Sequence, residues 1–334
     1  MKFQTDYGYF TDDGKEYVIT RPDTPRPWVN VISNGSYSLV ISQTGSGFSW
    51  WENSNLARLT RWEQDLVKDE WGKYLYIKDR DTGDFWSLGW KPVCRDFDSY
   101  ECRHGIGYTV LSNKYKGIAS SMTVFVPREE PVEIWKVTLK NESGLVRPLS
   151  LFSYFEWLLG NRDDSHREFH KTFIGTSYEK GVHALYGEKR KELRLPGSIM
   201  GEYPCTAFFA SSVEPEFYEG EKENFIGMYR TLADPLAVEK GALTNTTGRW
   251  NDSIASLHVN VDLEPGESKD IIFILGLSQG KAKDAKIIKK YFDVNNVNAA
   301  LTEVKKFWSG MLSGLTVKTP DDALNLMTNT WLKY

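Results

Sequence analysis

The stretch VEIWKVTLKNESGLVRPLSLFSYFEWLLG, residues 132–160, consists of two runs in which apolar and polar side chains mostly alternate, separated by the turn-forming letters NESG. Alternation with a period of two is typical of β-strands. SIASLHVNVDL, the turn EPGE and SKDIIFILGLS repeat this design over residues 253–278. We interpret each stretch as a long antiparallel hairpin, and such strands favour a sandwich of stacked sheets over βαβ units.

Beyond residue 280 the apolar residues recur at steps of three and four, which indicates an amphipathic helix. They are Val297, Leu301, Val304, Trp308 and Leu312. Asn295 or Asn296 can cap the start of this helix, and Gly310 or Gly314 can end it. We therefore divide the chain into a β-sandwich domain, residues 1–280, and a helical linker, residues 281–334.

A second helix is predicted in TPDDALNLMTNTWLKY, residues 319–334. Thr319 is the expected N-cap and Pro320 the expected first helical residue, because these residue types favour those positions. The apolar face of the helix consists of Leu324, Met327 and Trp331. The sequence stops at Tyr334 without a helix stop signal, so we expect the helix to lead into a further domain or a partner chain.

Composition argues against several classes of partner. The 334 residues carry a formal net charge of -4 without a block of like charges, unlike a nucleic-acid or anionic-membrane surface. No apolar run approaches the roughly 20 residues that span a bilayer, and acidic residues occupy the N-terminal stretch where an export signal would be apolar. Cys94, Cys102 and Cys205 lack metal-ligand spacing and fit a reducing compartment, so we expect a soluble cytoplasmic protein.

Motifs for nucleotide or metal chemistry are weak. The GSG at residues 45–47 lacks the following Gly or Lys of a phosphate-binding loop, so no nucleotide cofactor is expected. Asp164, His166 and His170 could be drawn as metal ligands at helical spacing, but they follow a predicted strand, where that spacing is not secure. We therefore expect no metal site.

Aromatic residues carry more information than these motifs. Trp50, Trp51, Trp62, Trp71, Trp86 and Trp90 fall between residues 50 and 90, interleaved with charged side chains. An indole combines a flat apolar face with a polar edge, which suits a sugar ring with its C–H faces and hydroxyl rim. For any single tryptophan the alternative is a place in the core of a large sandwich, while the cluster as a whole favours carbohydrate.

Six motifs occur in one order along the chain. They are GYFTDDGKEYVITRPDTPRPWVN (8–30), GDFWSLGWKPV (83–93), YECRHGIGYT (100–109), FSYFEW (152–157), FWSGMLS (307–313) and MTNTWLKY (327–334). With these motifs the chain resembles the sandwich region of the inverting β-glycoside phosphorylases typified by cellobiose and chitobiose phosphorylase, glycoside hydrolase family 94. The resemblance implies a mainly β fold, a large antiparallel β-supersandwich of the galactose mutarotase-like, carbohydrate-binding type, followed by linker helices and an (α/α)6 barrel.

The resemblance also implies a reaction. In that family inorganic phosphate attacks the anomeric carbon directly, and a single carboxylic acid of the barrel protonates the leaving glycosidic oxygen. A β-glucoside is thereby converted to α-glucose 1-phosphate with inversion. We accordingly expect no catalytic residue within residues 1–334 and no cofactor beyond inorganic phosphate as co-substrate.

Glu101, Arg103 and His104 belong to the most specific of the motifs. The resemblance implies that they brace a turn or a contact between domains, with an Arg103–Glu101 pair fixing the loop from Gly105 to Gly107. Cys102 and His104 at i and i+2 would share a strand face, as a nucleophile and a base must. The same pair suits a strand core equally well, and we prefer the structural role.

The resemblance places an acceptor-sugar loop at NRDDSHREFH, residues 161–170. In the resembling enzymes, which are homodimers, this loop of one subunit reaches the sugar site of the other. We therefore expect His170, Arg167 and His166 to bind substrate. Cellobiose phosphorylases present a glutamine where this chain has His170, and this departure leaves the acceptor sugar open.

Three functions remain to be compared. The first is the sandwich domain of a β-glucoside phosphorylase that acts on β-linked glucosaccharides as a homodimer, with its catalytic barrel in the same or a separate chain. The second is a free-standing carbohydrate-binding or oligomerising sandwich without activity, and the third is a mutarotase-like epimerase. The missing stop signal at Tyr334 favours the first, and no histidine shows the acid–base arrangement that the third needs.

Overall fold

The computed structural model describes residues 1–160, 173–189, 206–249 and 252–334. In these residues two large antiparallel sheets stack on each other and helices follow, which confirms the mainly β sandwich prediction. The ten-stranded sheet contains, in spatial order, β1 (Gly8–Phe10), β2 (Glu16–Ile19), β9 (Ser99–Gly105), β10 (Tyr108–Tyr115), β11 (Ile118–Phe125), β12 (Val132–Asn141), β19 (Ser268–Leu277), β16 (Thr206–Ser211), β15 (Ala184–Lys189) and β14 (Ile174–Glu179).

The nine-stranded sheet faces the first one. Its main path contains β17 (Phe217–Glu221), β18 (Ser253–Leu263), β13 (Arg147–Gly160), β6 (Arg58–Thr60), β5 (Gly47–Trp51), β4 (Tyr37–Ser42) and β3 (Val29–Ser33). A branch adds β7 (Tyr74–Asp79), which pairs with β13, and β8 (Phe85–Ser87), which pairs with β7. Strand β13 therefore lies at the centre of this sheet.

The two predicted hairpins are wrong, because each turn joins strands of different sheets. Strand β12 pairs with β19 in one sheet, and β13 pairs with β18 in the other. The two strand–turn–strand units, β12–β13 and β18–β19, therefore stack on each other. Asn141 links them by donating from Nδ2 to the carbonyls of Leu145 (2.7 Å) and Leu263 (3.0 Å). Because β12 and β13 lie in separate sheets, Trp135 of β12 faces Phe155 of β13 across the core. A hairpin would not allow this contact.

The main core fills the space between the sheets. Four of its aromatic side chains are Trp135, Phe155, Phe209 and Phe273. A second apolar cluster lies on the outer face of the ten-stranded sheet, under helices α3 (Lys281–Phe292) and α4 (Val294–Ser313). A third lies on the outer face of the nine-stranded sheet, where the short helices α1 (Lys222–Ile226) and α2 (Leu236–Lys240) cover it.

Helix α4 corresponds to the amphipathic helix predicted from the sequence, but its cap differs. Asp293 is the N-cap, and its Oδ1 accepts a 2.9 Å hydrogen bond from the backbone of Asn295. The prediction of Asn295 or Asn296 is therefore wrong by two or three residues. Gly314 follows the last helical residue, in agreement with one of the two predicted ends. No helix in the described ranges is long and apolar enough to cross a membrane.

The second predicted helix begins later than expected. Helix α5 (Asp322–Leu326) is capped by Asp321, which accepts a 2.8 Å hydrogen bond from the backbone of Ala323. Thr319 instead accepts from the backbone of Asp321 at 3.2 Å, so Thr319 and Pro320 lie before the helix. An aspartate is as good a cap as a threonine, and local preference alone did not decide between them.

The apolar face predicted for the second helix is divided in the structure. The π-helical turn Met327–Trp331 follows α5 and changes the rotation per residue. Trp331 consequently faces the sandwich, where its Nε1 donates to the carbonyl of Gly14 at 3.0 Å and its ring packs edge-on against Phe10. Leu324 and Met327 remain 49% and 39% exposed, so the three residues do not share one buried face.

Candidate functional site

The first predicted group of residues lies in the β9–β10 hairpin. It consists of Glu101, Arg103 and His104. Gly105 pairs with Tyr108, so the turn contains only two residues, Ile106 and Gly107. Gly107 has a φ of 83°, in the left-handed region that favours glycine. The chain therefore needs its second glycine to make this tight turn.

Arg103 connects neighbouring strands of the ten-stranded sheet. Its Nε donates to Glu101 at 2.6 Å and its guanidinium donates to Glu16 of β2 at 2.9 Å. Glu16 also accepts a hydrogen bond from the hydroxyl of Tyr108 in β10. The hydrogen bond to Glu101 raises the pKa of Arg103 above its ordinary value. These contacts link β2, β9 and β10. They support the structural role predicted for Glu101 and Arg103, which stays a prediction.

His104 is buried within the same hairpin. Its Nε2 lies 3.0 Å from the carbonyl of Trp28 and its Nδ1 lies 3.0 Å from the hydroxyl of Thr109. A carbonyl only accepts, so Nε2 carries the hydrogen and Nδ1 accepts from Thr109. Burial lowers the pKa of His104 to about 4 and raises the pKa of the Cys102 thiol well above its usual value. A protonated, fully buried thiol does not favour the nucleophilic alternative.

We predict that the free energy of unfolding falls as the pH drops from 6.5 towards 4. Burial lowers the folded-state pKa of both His104 and His258 to about 4, whereas unfolded histidines titrate near 6.5. In this window the unfolded state binds more protons, so stability is full above the unfolded pKa and is lost below it. Each histidine contributes up to about 1.4 kcal/mol per pH unit.

Urea unfolding at pH 7, 6 and 5 measures this dependence. The ring of His258 is stacked on Phe152 with centroids 4.1 Å apart, so His258→Asn lowers the free energy of unfolding at every pH. The variant also lacks the contribution of His258 to the change of that free energy with pH. We expect the variant to lose about half of the pH dependence of the wild-type chain. A wild-type stability that is flat between pH 6.5 and 5 would show that the two rings are not held neutral.

The turn of the hairpin contacts the C-terminal helices directly. A Cβ atom on Gly107 would lie 2.6 Å from Trp308 and 2.8 Å from Val304, both of α4. The backbone N–H of Gly107 donates to the hydroxyl of Tyr334 at 3.1 Å, and that hydroxyl donates to the carbonyl of Val31 at 2.8 Å. The motif therefore joins the sandwich to the helices that follow it.

Gly107→Ala is expected to destabilise the chain by about 2–4 kcal/mol, since it combines positive-φ strain with overpacking against Trp308. The matched control is Gly266→Ala, because Gly266 has a φ of 80° and no atom within 4 Å of the added Cβ. The control should show the backbone strain alone. Urea denaturation compares the two variants, and equal losses of stability would mean that the turn does not depend on contact with α4.

The second predicted group, His166, Arg167 and His170, lies outside the described residues. Its segment follows Gly160 at the end of β13 and precedes Ile174 at the start of β14. Strand β13 belongs to the nine-stranded sheet and β14 to the ten-stranded sheet. The substrate-binding role of the three side chains accordingly stays a prediction.

The tryptophans between residues 50 and 90 differ in their burial and in their contacts. Trp86 is fully buried in the main core, and Trp62 is stacked on Phe48 with ring centroids 5.0 Å apart. For Trp86 the core alternative is right. Trp62 and Trp71 are both half-buried and each lies near a guanidinium, with Arg58 5.9 Å from the ring centroid of Trp62 and Arg61 4.3 Å from that of Trp71. Trp71 lies beside a group of charged side chains that surround a buried glutamate.

That charged group, here called the Glu156 cluster, consists of Glu156, Arg61, Lys222 and Tyr154. Glu156 is 4% exposed and accepts from the Tyr154 hydroxyl at 2.8 Å, from Arg61 at 3.1 Å and from Lys222 at 2.6 Å. The Lys222 ammonium also lies 5.2 Å from the ring centroid of Trp71. Sequence reasoning missed this cluster, although a glutamate within the apolar run FSYFEWLL signals a buried, paired carboxylate.

A second buried ion pair lies between the sheets. Glu133 is fully buried and accepts from Lys73 at 2.5 Å, from the indole of Trp135 at 2.6 Å and from the hydroxyls of Ser49 and Tyr37. Burial lowers the pKa of Lys73, while the charge of Glu133 opposes that change. Every lone pair of the carboxylate faces a donor, which is the condition for a stable buried charge.

Metal and thiol chemistry can be surveyed over the described part of the chain. Across residues 1–160, 173–189, 206–249 and 252–334, no group of three or more His, Cys, Asp and Glu side chains could hold a metal ion. Cys94 is exposed and Cys102 is buried, and both are free thiols. Asp164, His166, His170 and Cys205 lie outside these ranges.

Comparisons with known proteins relate these features to a family. The profile of "Glycosyl hydrolase 94, supersandwich domain" matches residues 15–294. The N,N'-diacetylchitobiose phosphorylase of Vibrio proteolyticus is 35% identical over an alignment of 334 positions, which covers 98% of this chain and 40% of that enzyme. The solabiose phosphorylase of Paenibacillus borealis is 31% identical over 330 residues, 98% of this chain and 42% of that enzyme.

A solved structure shows the same fold at much lower identity. A bacterial glucoamylase complexed with acarbose superposes with a TM-score of 0.51 at 11% identity, over 88% of this chain and 40% of that one. At this identity the likeness concerns the fold alone. The chain thus spans about 40% of the length of the phosphorylases that it matches.

Proposed function

Since the chain belongs to the glycosyl hydrolase 94 family through its supersandwich domain, we propose that it is the sandwich domain of a β-glycoside phosphorylase. The observation that carries the proposal is the match over 98% of the chain to phosphorylases named for different disaccharides. The alternative of a free-standing binding sandwich is not favoured, because these relatives carry the same domain within a longer enzyme. The sandwich is therefore assigned to the part that phosphorylases named for different disaccharides have in common.

In the proposed reaction the complete enzyme transfers a glycosyl group from a β-glycoside to inorganic phosphate with inversion. Phosphate takes the place of the base and water that inverting hydrolases use, and an acid on an (α/α)6 barrel protonates the leaving oxygen. The products are an α-sugar 1-phosphate and the acceptor sugar. The experiment that tests this is phosphate-dependent release of the sugar phosphate from β-linked disaccharides by the complete enzyme.

The proposed contribution of this chain is to the acceptor sugar and to assembly. We assign the segment of His166, Arg167 and His170 to the acceptor site of the partner subunit in a cytoplasmic homodimer. Support comes from its composition, since two adjacent carboxylates, two arginines and two histidines in residues 161–170 suit a loop that meets a polar ligand. Glu101 and Arg103 brace the hairpin that contacts the linker helices.

His170→Ala is expected to raise the apparent KM for the acceptor about tenfold in the synthetic direction, with little change for the sugar 1-phosphate donor. The loss of one hydrogen bond to a sugar hydroxyl is on the order of 1 kcal/mol, and somewhat more when charge-assisted. His170→Gln is the matched control, because it keeps a hydrogen-bonding group and should recover part of the loss. Initial rates across a panel of acceptors measure both. Unaltered acceptor kinetics, or lost donor binding, would contradict the assignment.

A further inference from the structure

A pocket of about 350 Å³ opens beside the Glu156 cluster, between the nine-stranded sheet, helix α1 and the segments around residues 91 and 232. This volume lies at the small end of the range for small-molecule sites in proteins. Six of the lining residues are Trp71, Tyr74, Lys91, Glu156, Lys222 and Leu232. The lining thus combines aromatic and apolar side chains with charged groups.

Tyr74 is the first observation that points to a ligand. Its side chain is 2% exposed and lines the pocket, yet its hydroxyl has no hydrogen-bond partner among the described residues. The neighbouring buried tyrosines are satisfied, since Tyr76 donates to the carbonyl of Leu232 at 2.8 Å and Tyr154 donates to Glu156. The Tyr74 oxygen is not among the fully buried polar atoms that lack a partner in the described residues, so it meets the open space of the pocket and can donate and accept there. A bound molecule in the pocket would supply the partner.

The charges of the pocket are the second observation. Lys91 lines it with an ammonium group that forms no ion pair in the described part of the chain, whereas Lys222 is held by Glu156. With Glu70 included, the lining contains two cations, Lys91 and Lys222, and two carboxylates, those of Glu70 and Glu156. A balanced set of charges favours an uncharged ligand with many hydroxyls over an anion, because each hydroxyl can both donate and accept.

Trp71 is the third observation. Its φ of 71° places a bulky residue in the left-handed region. Its carbonyl is held there by the backbone of Gly47 at 3.1 Å and the hydroxyl of Ser46 at 3.0 Å. Backbone strain of this kind concentrates at functional sites, where surrounding contacts maintain it. Here the strained backbone fixes the indole against the pocket.

We propose that this pocket binds one pyranose ring of an uncharged saccharide, with Trp71 against its C–H groups and with Tyr74 and Lys91 bonded to its hydroxyls. An aromatic wall with polar groups at its rim matches the apolar faces and hydroxyl edge of a sugar ring. The site is formed by this chain alone and does not depend on the proposed phosphorolysis. Glu156 accepts from a further hydroxyl while it keeps its bonds to Lys222 and Arg61.

The test is isothermal titration of the chain with glucose, N-acetylglucosamine and cellobiose, with inorganic phosphate and glucuronate as anionic probes. We expect at least one uncharged sugar to bind, and Tyr74→Phe and Lys91→Met each to weaken that binding about fivefold or more. The matched controls are Tyr9→Phe and Lys283→Met, which lie outside the pocket. Thermal unfolding of each variant confirms that it is folded.

Three results would overturn the proposal. The first is that no uncharged sugar binds, and the second is that only phosphate or glucuronate binds. The third is sugar binding that Tyr74→Phe and Lys91→Met leave unchanged, which would place the sugar elsewhere on the chain.

Discussion

Replacing Glu133 with alanine is expected to lower the free energy of unfolding by about 3–5 kcal/mol. The carboxylate is fully buried between the sheets and accepts hydrogen bonds from Lys73, Ser49, Tyr37 and Trp135. Its removal leaves the ammonium of Lys73 buried without a counter-charge and leaves three neutral donors unpaired. Urea denaturation of the chain measures the loss.

The double variant Lys73→Met, Glu133→Leu separates the loss of a partner from the value of the pair. Replacing both charges by apolar side chains of similar volume removes the unpaired ammonium, so we expect the double variant to be more stable than Glu133→Ala. A surface carboxylate gives the second control, since Glu142→Ala breaks only the contacts with Lys114 and Lys140 at the surface and should change stability little. A Glu133→Ala chain as stable as Glu142→Ala would contradict the account of the core.

The largest expected effect on activity is the difference between this chain and the complete enzyme. The acid and the phosphate site are assigned to a barrel, and the chain covers 40% of the chitobiose phosphorylase that it matches. General acid catalysis alone contributes about a hundred- to ten-thousandfold. We therefore expect the chain by itself to release sugar 1-phosphate at least about a hundredfold more slowly than the complete enzyme. Comparable turnover by both would contradict the assignment of the acid.

The class of the fold could be predicted from the sequence because it depends on local periodicity. Alternation in the strands and the three- and four-residue steps of Val297, Leu301 and Val304 are properties of single segments. Strand pairing is different, because it depends on contacts between segments far apart in sequence. The turn NESG is compatible with both a hairpin and a crossing between sheets, and the pairing of β12 with β19 decided the outcome.

The candidate sites, too, were predictable only where they depend on single segments of the sequence. Motif resemblance identified Glu101, Arg103 and His104, but it did not predict their contacts with Glu16 and Tyr334, which reach the hairpin from opposite ends of the chain. The pocket around Trp71 was partly visible as one tryptophan among six. Its selection required the burial of Tyr74 and the pairing of Glu156, which are properties of the folded chain rather than of any short segment.

The most direct test of the proposed phosphorolysis is phosphorus and proton NMR of the complete enzyme with a β-linked disaccharide and inorganic phosphate. We expect the enzyme to consume phosphate in step with the disaccharide and to produce an α-sugar 1-phosphate, because in the proposed reaction phosphate attacks the anomeric carbon with inversion. N,N'-diacetylchitobiose, solabiose and cellobiose are the first substrates to compare. Release of two free sugars without uptake of phosphate, or formation of the β-anomer of the sugar phosphate, would contradict it.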